Sequence, residues 1–192
     1  MMHLEVRHMS KVAVLVTCGY EESETMIIVD FLRRLQIEAT TFSLTDNLYV
    51  TGMQKITCKC DVFFNESVDN YDMVFLPGGR PGGANLCADA RVIKLIQRFN
   101  EQGKYVAAMC SGTTVLEQAG IINGRKVTGY HGYEDKLVSG EFVKEVVVAD
   151  ENLITSVGPA TPFPMVYKMA EVLGVDPSVV KEKTLYNFAG GK

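Results

Sequence analysis

Tyr105-Val106-Ala107-Ala108-Met109-Cys110-Ser111-Gly112-Thr113-Thr114-Val115-Leu116 decides the reading of this chain. An apolar strand runs up to Cys110, and the chain then turns at once into a helix. Such a turn lifts one side chain above the carboxyl edge of a sheet, where the free N–H groups of the next helix favour negative charge. Thiolate is the nucleophilic form of cysteine, and its ordinary pKa near ~8.5 is expected to fall in that setting. The competing reading of Cys110 is a small buried hydrophobe, which many unpaired cysteines are.

Outward from this turn, strands alternate with helices. Lys11–Thr17 reads as a buried strand, and Glu24–Leu35 as a helix with Ile27, Ile28, Phe31, Leu32 and Leu35 on one face. Ala39–Leu44 is a strand, Tyr49–Cys60 a small hairpin or edge piece, and Asp72–Leu76 a strand ending in the loop Pro77–Gly83. Ala90–Gln102 is a helix with Val92, Leu95, Ile96 and Phe99 inward, stopped at Gly103. Tyr105–Met109 is followed by the helix Thr113–Ala119, then by strands at Val127–Gly129, Phe142–Asp150 and Leu153–Ser156. Pro162–Leu173 closes as a helix with Phe163, Val166, Ala170 and Leu173 inward, and a short helix starts near Pro177. This alternation predicts a doubly wound α/β fold, a mainly parallel sheet sandwiched by helices. Ligands of such sheets bind beyond the carboxyl ends of the strands. The segments to search are therefore Cys18–Glu24, Pro77–Gly83, Cys110–Thr114 and Gly158–Thr161.

The chain has 192 residues, 47% of them hydrophobic, which suits one buried core and a single domain over residues 10–192. Residues 1–9 read as an N-terminal extension or tag-like segment, without the apolar centre of a secretory signal. A net charge of -4 without a basic cluster argues against a nucleic-acid partner. Apolar runs such as Val12–Val16 and Met73–Leu76 are strand-sized, far short of the ~20 residues that cross a bilayer, so no membrane partner is expected. Five irregularly spaced cysteines do not make a disulfide framework, which points to a reducing cytoplasm. Cys58 and Cys60 form one C-x-C without a second pair, so no zinc site is expected; structural or peripherally oxidisable thiols are the default. Arg80-Pro81-Gly82-Gly83 lacks the Lys-Ser/Thr of a P-loop, and G-x-G-x-x-G is absent, so no nucleotide cofactor is expected.

Gly78 and Gly79 have no side chains, so their N–H groups are able to face a substrate oxygen, with Ser111 N–H as a further donor; a tight turn needing glycine explains them equally well. Glu21, Glu22 and Glu24 stand at the entry to the first helix. Complementing the helix dipole on the surface suffices for two of them. The third is placed to turn toward Cys110, and since both groups cannot ionise side by side, a glutamic acid would then donate to the thiolate.

Gly19-Tyr20-Glu21-Glu22-Ser23-Glu24, Leu76-Pro77-Gly78-Gly79, Ala107-Ala108-Met109-Cys110-Ser111-Gly112 and Thr155-Ser156-Val157-Gly158-Pro159-Ala160 occur in an order that resembles the DJ-1/ThiJ/PfpI superfamily, and its DJ-1-like branch most. The likeness covers Ser10–Tyr186. It implies a flavodoxin-like fold, a homodimer and no cofactor or metal. It further implies Cys110 as nucleophile, Glu24 as its protonated partner, and Gly78, Gly79 and Ser111 lining the pocket, with Gly158 and Pro159 beside it. The expected roles are oxidative-stress defence through an oxidisable cysteine and cofactor-independent glyoxalase or deglycase action on methylglyoxal or its adducts. A non-catalytic redox sensor or chaperone is the alternative, so the small partner is a reactive carbonyl or peroxide. A PfpI-type hydrolase is a further alternative, disfavoured because Ser111 stands where the protease-like branch has histidine. Aligned on Val127-Thr128, the pocket histidine of some DJ-1-like members falls on Tyr130, with His131 one residue further. Cys18 is a candidate resolving cysteine at the same sheet edge, and Cys87 is expected to be buried in the loop before a helix.

Overall fold

Residues 9–190 are described by the computed structural model. Seven strands form the central sheet, in the order β10-β11-β7-β6-β1-β2-β5. They are β1 (Lys11–Val16), β2 (Glu38–Ser43), β5 (Val62–Phe63), β6 (Met73–Leu76), β7 (Tyr105–Met109), β10 (Val147–Asp150) and β11 (Leu153–Ser156). All neighbours are parallel except β10 with β11.

Strand β1 shows why the layers form. Its side chains alternate between faces, so Val12, Val14 and Val16 enter one core and Ala13 and Leu15 the other. The first core is closed by α1 (Glu22–Arg34), through Ile28, Phe31 and Leu32, and by α5 (Pro162–Val172), through Met165, Val166, Met169 and Ala170. The second is closed by α3 (Ala90–Glu101), through Val92, Leu95, Ile96 and Phe99, with α4 (Thr114–Gln118) beside it. Ile27, Phe163 and Leu173, expected inward, are only half-buried at the margin of the first core, where Tyr186 stacks edge-on with Tyr167 at 4.8 Å. α6 (Ser178–Lys183) follows. Among the described residues no helix is long and apolar enough to cross a membrane.

Of the two forms expected for Tyr49–Cys60 the hairpin is the one present, β3 (Tyr49–Thr51) against β4 (Thr57–Lys59), while β5 is one edge of the main sheet. Two expectations are corrected. Phe142–Asp150 is not one strand: β9 (Glu141–Phe142) pairs with β8 (Lys126–Val127) in a separate two-stranded sheet, and the chain crosses through Val143–Val146 to enter the main sheet as β10. The glycine-rich loop after β6 becomes a helix, α2 (Gly82–Ala88). Its first turn presses on two neighbouring loops, since a Cβ on Gly82 would meet the Gly19 carbonyl at 2.6 Å and one on Gly83 the Ser111 hydroxyl at 2.5 Å. Cys87 therefore sits in a helix, half-buried, with its sulfur 3.2 Å from Thr114 Oγ1.

Candidate functional site

The loops after β1, β6, β7 and β11 meet at one edge of the sheet. Cys110 opens a short 3-10 turn, Cys110–Thr113, that leads into α4 rather than entering it directly. Its φ of 54° lies in the left-handed region, a conformation that costs a non-glycine residue roughly 1–2 kcal/mol. The turn is held by Thr113 Oγ1 donating to the Cys110 carbonyl at 2.7 Å. It is pressed against the end of β6, where a Cβ on Gly112 would stand 2.5 Å from the Leu76 carbonyl oxygen.

Glu24 is the inward member of the acidic trio. Glu21 caps α1, its Oε2 accepting from Glu24 N at 2.6 Å, and this turns the Glu24 side chain under the sheet edge with no exposed surface. Glu24 Oε2 accepts from Gly78 N at 2.7 Å, and the Cys110 thiol meets the same carboxyl. Gly78 is expected to offer its N–H to a substrate, but that N–H is already given to Glu24. What the site takes from Gly78 is space: a Cβ there would lie 2.7 Å from Cys110 Cβ and 2.9 Å from both Glu24 Oε2 and Ser111 N. The N–H groups of Ser111 and Gly79 instead face the Cys110 sulfur. Glu22 also departs from the surface reading. It is buried, and its Oε1 accepts from Gln54 N at 2.7 Å and Ile56 N at 3.3 Å, tying the hairpin to the start of α1.

Burial pushes the Glu24 carboxyl up to about 7, against the opposing pull of the Gly78 N–H and the Cys110 thiol. Burial first, and the Glu24 charge second, push the Cys110 thiol up to about 12, while the N–H groups of Ser111 and Gly79 draw it down. The expected simple fall in the thiol pKa is thus offset by the same enclosure that positions it. Above about pH 7 the pair carries one negative charge and one proton, the charge resting on Glu24 and the proton on sulfur. Transfer of that proton to the carboxyl leaves a thiolate that two backbone N–H groups already face.

Cys110 opens onto a cavity of about 320 Å³ walled by Gly79, Ser111, Tyr130 and Pro159, and by Glu21, Met53, Gln54, Arg80 and Tyr133. Gly158 backs the sulfur, a Cβ there falling 4.0 Å from Cys110 Sγ and 3.3 Å from the Tyr130 ring. His131 does not join them; it is exposed and lines a different cavity of about 240 Å³ with Thr128 and Phe142. Cys18 is exposed and is not part of the Cys110 cavity wall. Met53 and Gln54 come from the hairpin turn, and no local pattern marks them. Glu21 was legible only as one of three carboxylates at the entry to the first helix, and Arg80 only as part of a glycine-rich loop. Among the described residues no three His, Cys, Asp or Glu side chains are grouped to hold a metal ion.

This arrangement has relatives. The family model described as DJ-1/PfpI family matches residues 10–172. Protein dj-1beta of Drosophila melanogaster is 35% identical over 176 residues, covering 86% of this chain and 90% of that protein. Its crystal structure superposes with a TM-score of 0.83 over 86% of this chain and 91% of that one, at 31% identity. The protein named Deglycase PfpI of Pyrococcus furiosus is 30% identical over 128 residues, or 65% of this chain and 76% of that protein. Protein DJ-1 homolog B of Arabidopsis thaliana is longer, and the chain spans 37% of it, at 29% identity over 163 residues. A mostly parallel α/β sheet carrying a cysteine at its β7 turn, with a match running from residue 10 to residue 172, makes this chain a member of the DJ-1/PfpI family.

Proposed function

We propose that Cys110 and Glu24 act as one unit on small reactive carbonyls, converting methylglyoxal to lactate or removing its adducts without a cofactor. The observation that carries this reading is a carboxyl with no exposed surface, bonded to Gly78 and meeting a thiol that opens onto a cavity of about 320 Å³. In the first step Glu24 takes the thiol proton as Cys110 Sγ bonds to the aldehyde carbon, and the carbonyl electron pair moves to oxygen. Ser111 and Gly79 N–H groups stand ready for that oxyanion, and Glu24 passes the proton to it, giving a hemithioacetal. Glu24, ionised again, takes the proton from the carbon bearing sulfur, and the electron pair moves through the new C=C bond to the adjacent carbonyl oxygen. The hydroxyl proton passes to that oxygen and Glu24 returns its proton to the adjacent carbon, which leaves a lactoyl thioester for water to hydrolyse. Glu24 has this task because His131 lies outside the Cys110 cavity. The name of the Pyrococcus relative, a deglycase, supports the substrate class.

A redox reading has one observation in its favour: the two N–H groups facing the sulfur would equally hold the oxygens of a sulfinate, in oxidative-stress sensing or chaperone action. A homodimer working in a reducing cytoplasm completes the proposal, supported by the family likeness and by five free cysteines. Lactate formed from methylglyoxal is followed for the wild type and Cys110→Ala. The proposal expects formation to vanish in the variant, and undiminished formation overturns it.

A further inference from the structure

We infer that Cys58 and Cys60 form a second thiol site, a dithiol on the β3–β4 hairpin that peroxide closes to an intramolecular disulfide. The site is independent of the Cys110 chemistry. Two residues apart on an extended segment, the two side chains share a face, and Lys59 between them points the other way, its ammonium 6.0 Å from the centre of the Tyr49 ring. Cys58 lies opposite Val50 in the ladder, and Cys60 continues it by donating its N–H to the Leu48 carbonyl at 2.8 Å. Positions two apart on a strand are roughly 6.4–6.8 Å apart at Cα, the outer end of the span a disulfide bridges. Cys60 stands just beyond the last residue of β4, where the chain leaves the hairpin.

The thiols are neighbours on one face of the hairpin. Cys60 is buried and Cys58 half-buried, and each is the strongest influence on the other's ionisation. The hydroxyl of the wholly buried Tyr20 lies between the Ile56 carbonyl, at 3.3 Å, and the Cys58 sulfur. A charge on Cys58 therefore has two donors, the Cys60 thiol and the Tyr20 hydroxyl, with Asp61 the opposing neighbour. Those donors, Cys60 foremost, draw Cys58 down to about 6 against its burial, while Cys60, giving its proton to that charge, and Tyr20, through burial first and Cys58 second, are held well above their ordinary ranges. Half-exposed thiolate beside a buried thiol is the arrangement of an attacking and a resolving cysteine.

The chemistry balances with peroxide as oxidant. Cys58 thiolate attacks one peroxide oxygen, an S–O bond forms, the O–O bond breaks, and hydroxide leaves. Cys60 sulfur then attacks the sulfenic sulfur as its proton passes to solvent; the S–S bond forms, the S–O bond breaks, and the oxygen departs as water. Two thiols lose two electrons and one peroxide becomes two waters.

The reduced full chain is treated with graded hydrogen peroxide, free thiols are capped with iodoacetamide, and the protein is digested with trypsin without reductant. Cleavage at Lys59 separates the two cysteines, so the disulfide leaves peptide 56–59 joined to the peptide beginning at Cys60. Fragmentation distinguishes a bond to Cys60 from one to Cys87 in that peptide. The joined species should form several-fold faster than capping is lost at the exposed Cys18. In Cys60→Ser it should vanish and Cys58 should instead be captured by dimedone as sulfenic acid. Full capping of Cys58 and Cys60 while Cys18 is oxidised overturns the inference, as does Cys58 joined to any other cysteine. The wild-type joined peptide is decisive even where the variant fails to fold.

Discussion

Replacing Glu24 by Gln should make the protein more stable at neutral and alkaline pH while leaving it unchanged in acid. Glu24 has no exposed surface, and burial raises its carboxyl from an ordinary 4.5 to about 7. The folded state therefore holds this proton more tightly than the unfolded chain, and stability falls as pH rises between about 4.5 and about 7. At ~1.36 kcal/mol per pKa unit, ionising Glu24 costs the wild type about 3 kcal/mol above that window. Gln keeps the carbonyl oxygen that accepts from Gly78 N and presents an amide donor to Cys110 in place of the protonated carboxyl, so it matches the acid form of Glu24. Urea unfolding of both proteins at pH 4 and pH 8 measures this. The variant should match the wild type at pH 4 and exceed it by about 3 kcal/mol at pH 8. An equal difference at the two pH values, or a wild type more stable at pH 8, would refute the reasoning.

Gly78→Ala would put a methyl group 2.7 Å from Cys110 Cβ and 2.9 Å from Glu24 Oε2, separating the pair. It should destabilise by about 1–3 kcal/mol in thermal unfolding and lower lactate formation in a protein that still folds; a fully active variant would show that the close approach is unnecessary. His131→Ala should leave lactate formation unchanged, because His131 lines a separate cavity. A large loss in that variant would return the histidine to the mechanism.

Much of this site was legible because it is local. The apolar run ending at Cys110 and the helix after it dictate a turn at a strand end, and the alternation of strands and helices places that turn beside the loops of β1 and β6. That one of Glu21, Glu22 and Glu24 turns inward was legible, since α1 starts at the same edge; only the family resemblance singled out Glu24. Which N–H groups face the sulfur was not, because that depends on the register between the β6 and β7 loops: Gly78 turns to Glu24, and Gly79 to Cys110. The hairpin wall was hidden for a different reason. Met53 and Gln54 reach the cavity only because buried Glu22 holds the Gln54 and Ile56 N–H groups, a contact between segments about thirty residues apart that no periodicity encodes. The acidity of Cys58 rests on Cys60 first and then on Tyr20, which arrives from the loop after β1.

The central claim is that Glu24 carries the proton for Cys110, and the Glu24→Gln variant tests it most directly, since the same substitution should preserve the fold. Initial rates of lactate formation from methylglyoxal at pH 8 should fall about 10²–10⁴-fold, the usual worth of a positioned acid and base. A variant that is folded and forms lactate at the wild-type rate would contradict the account.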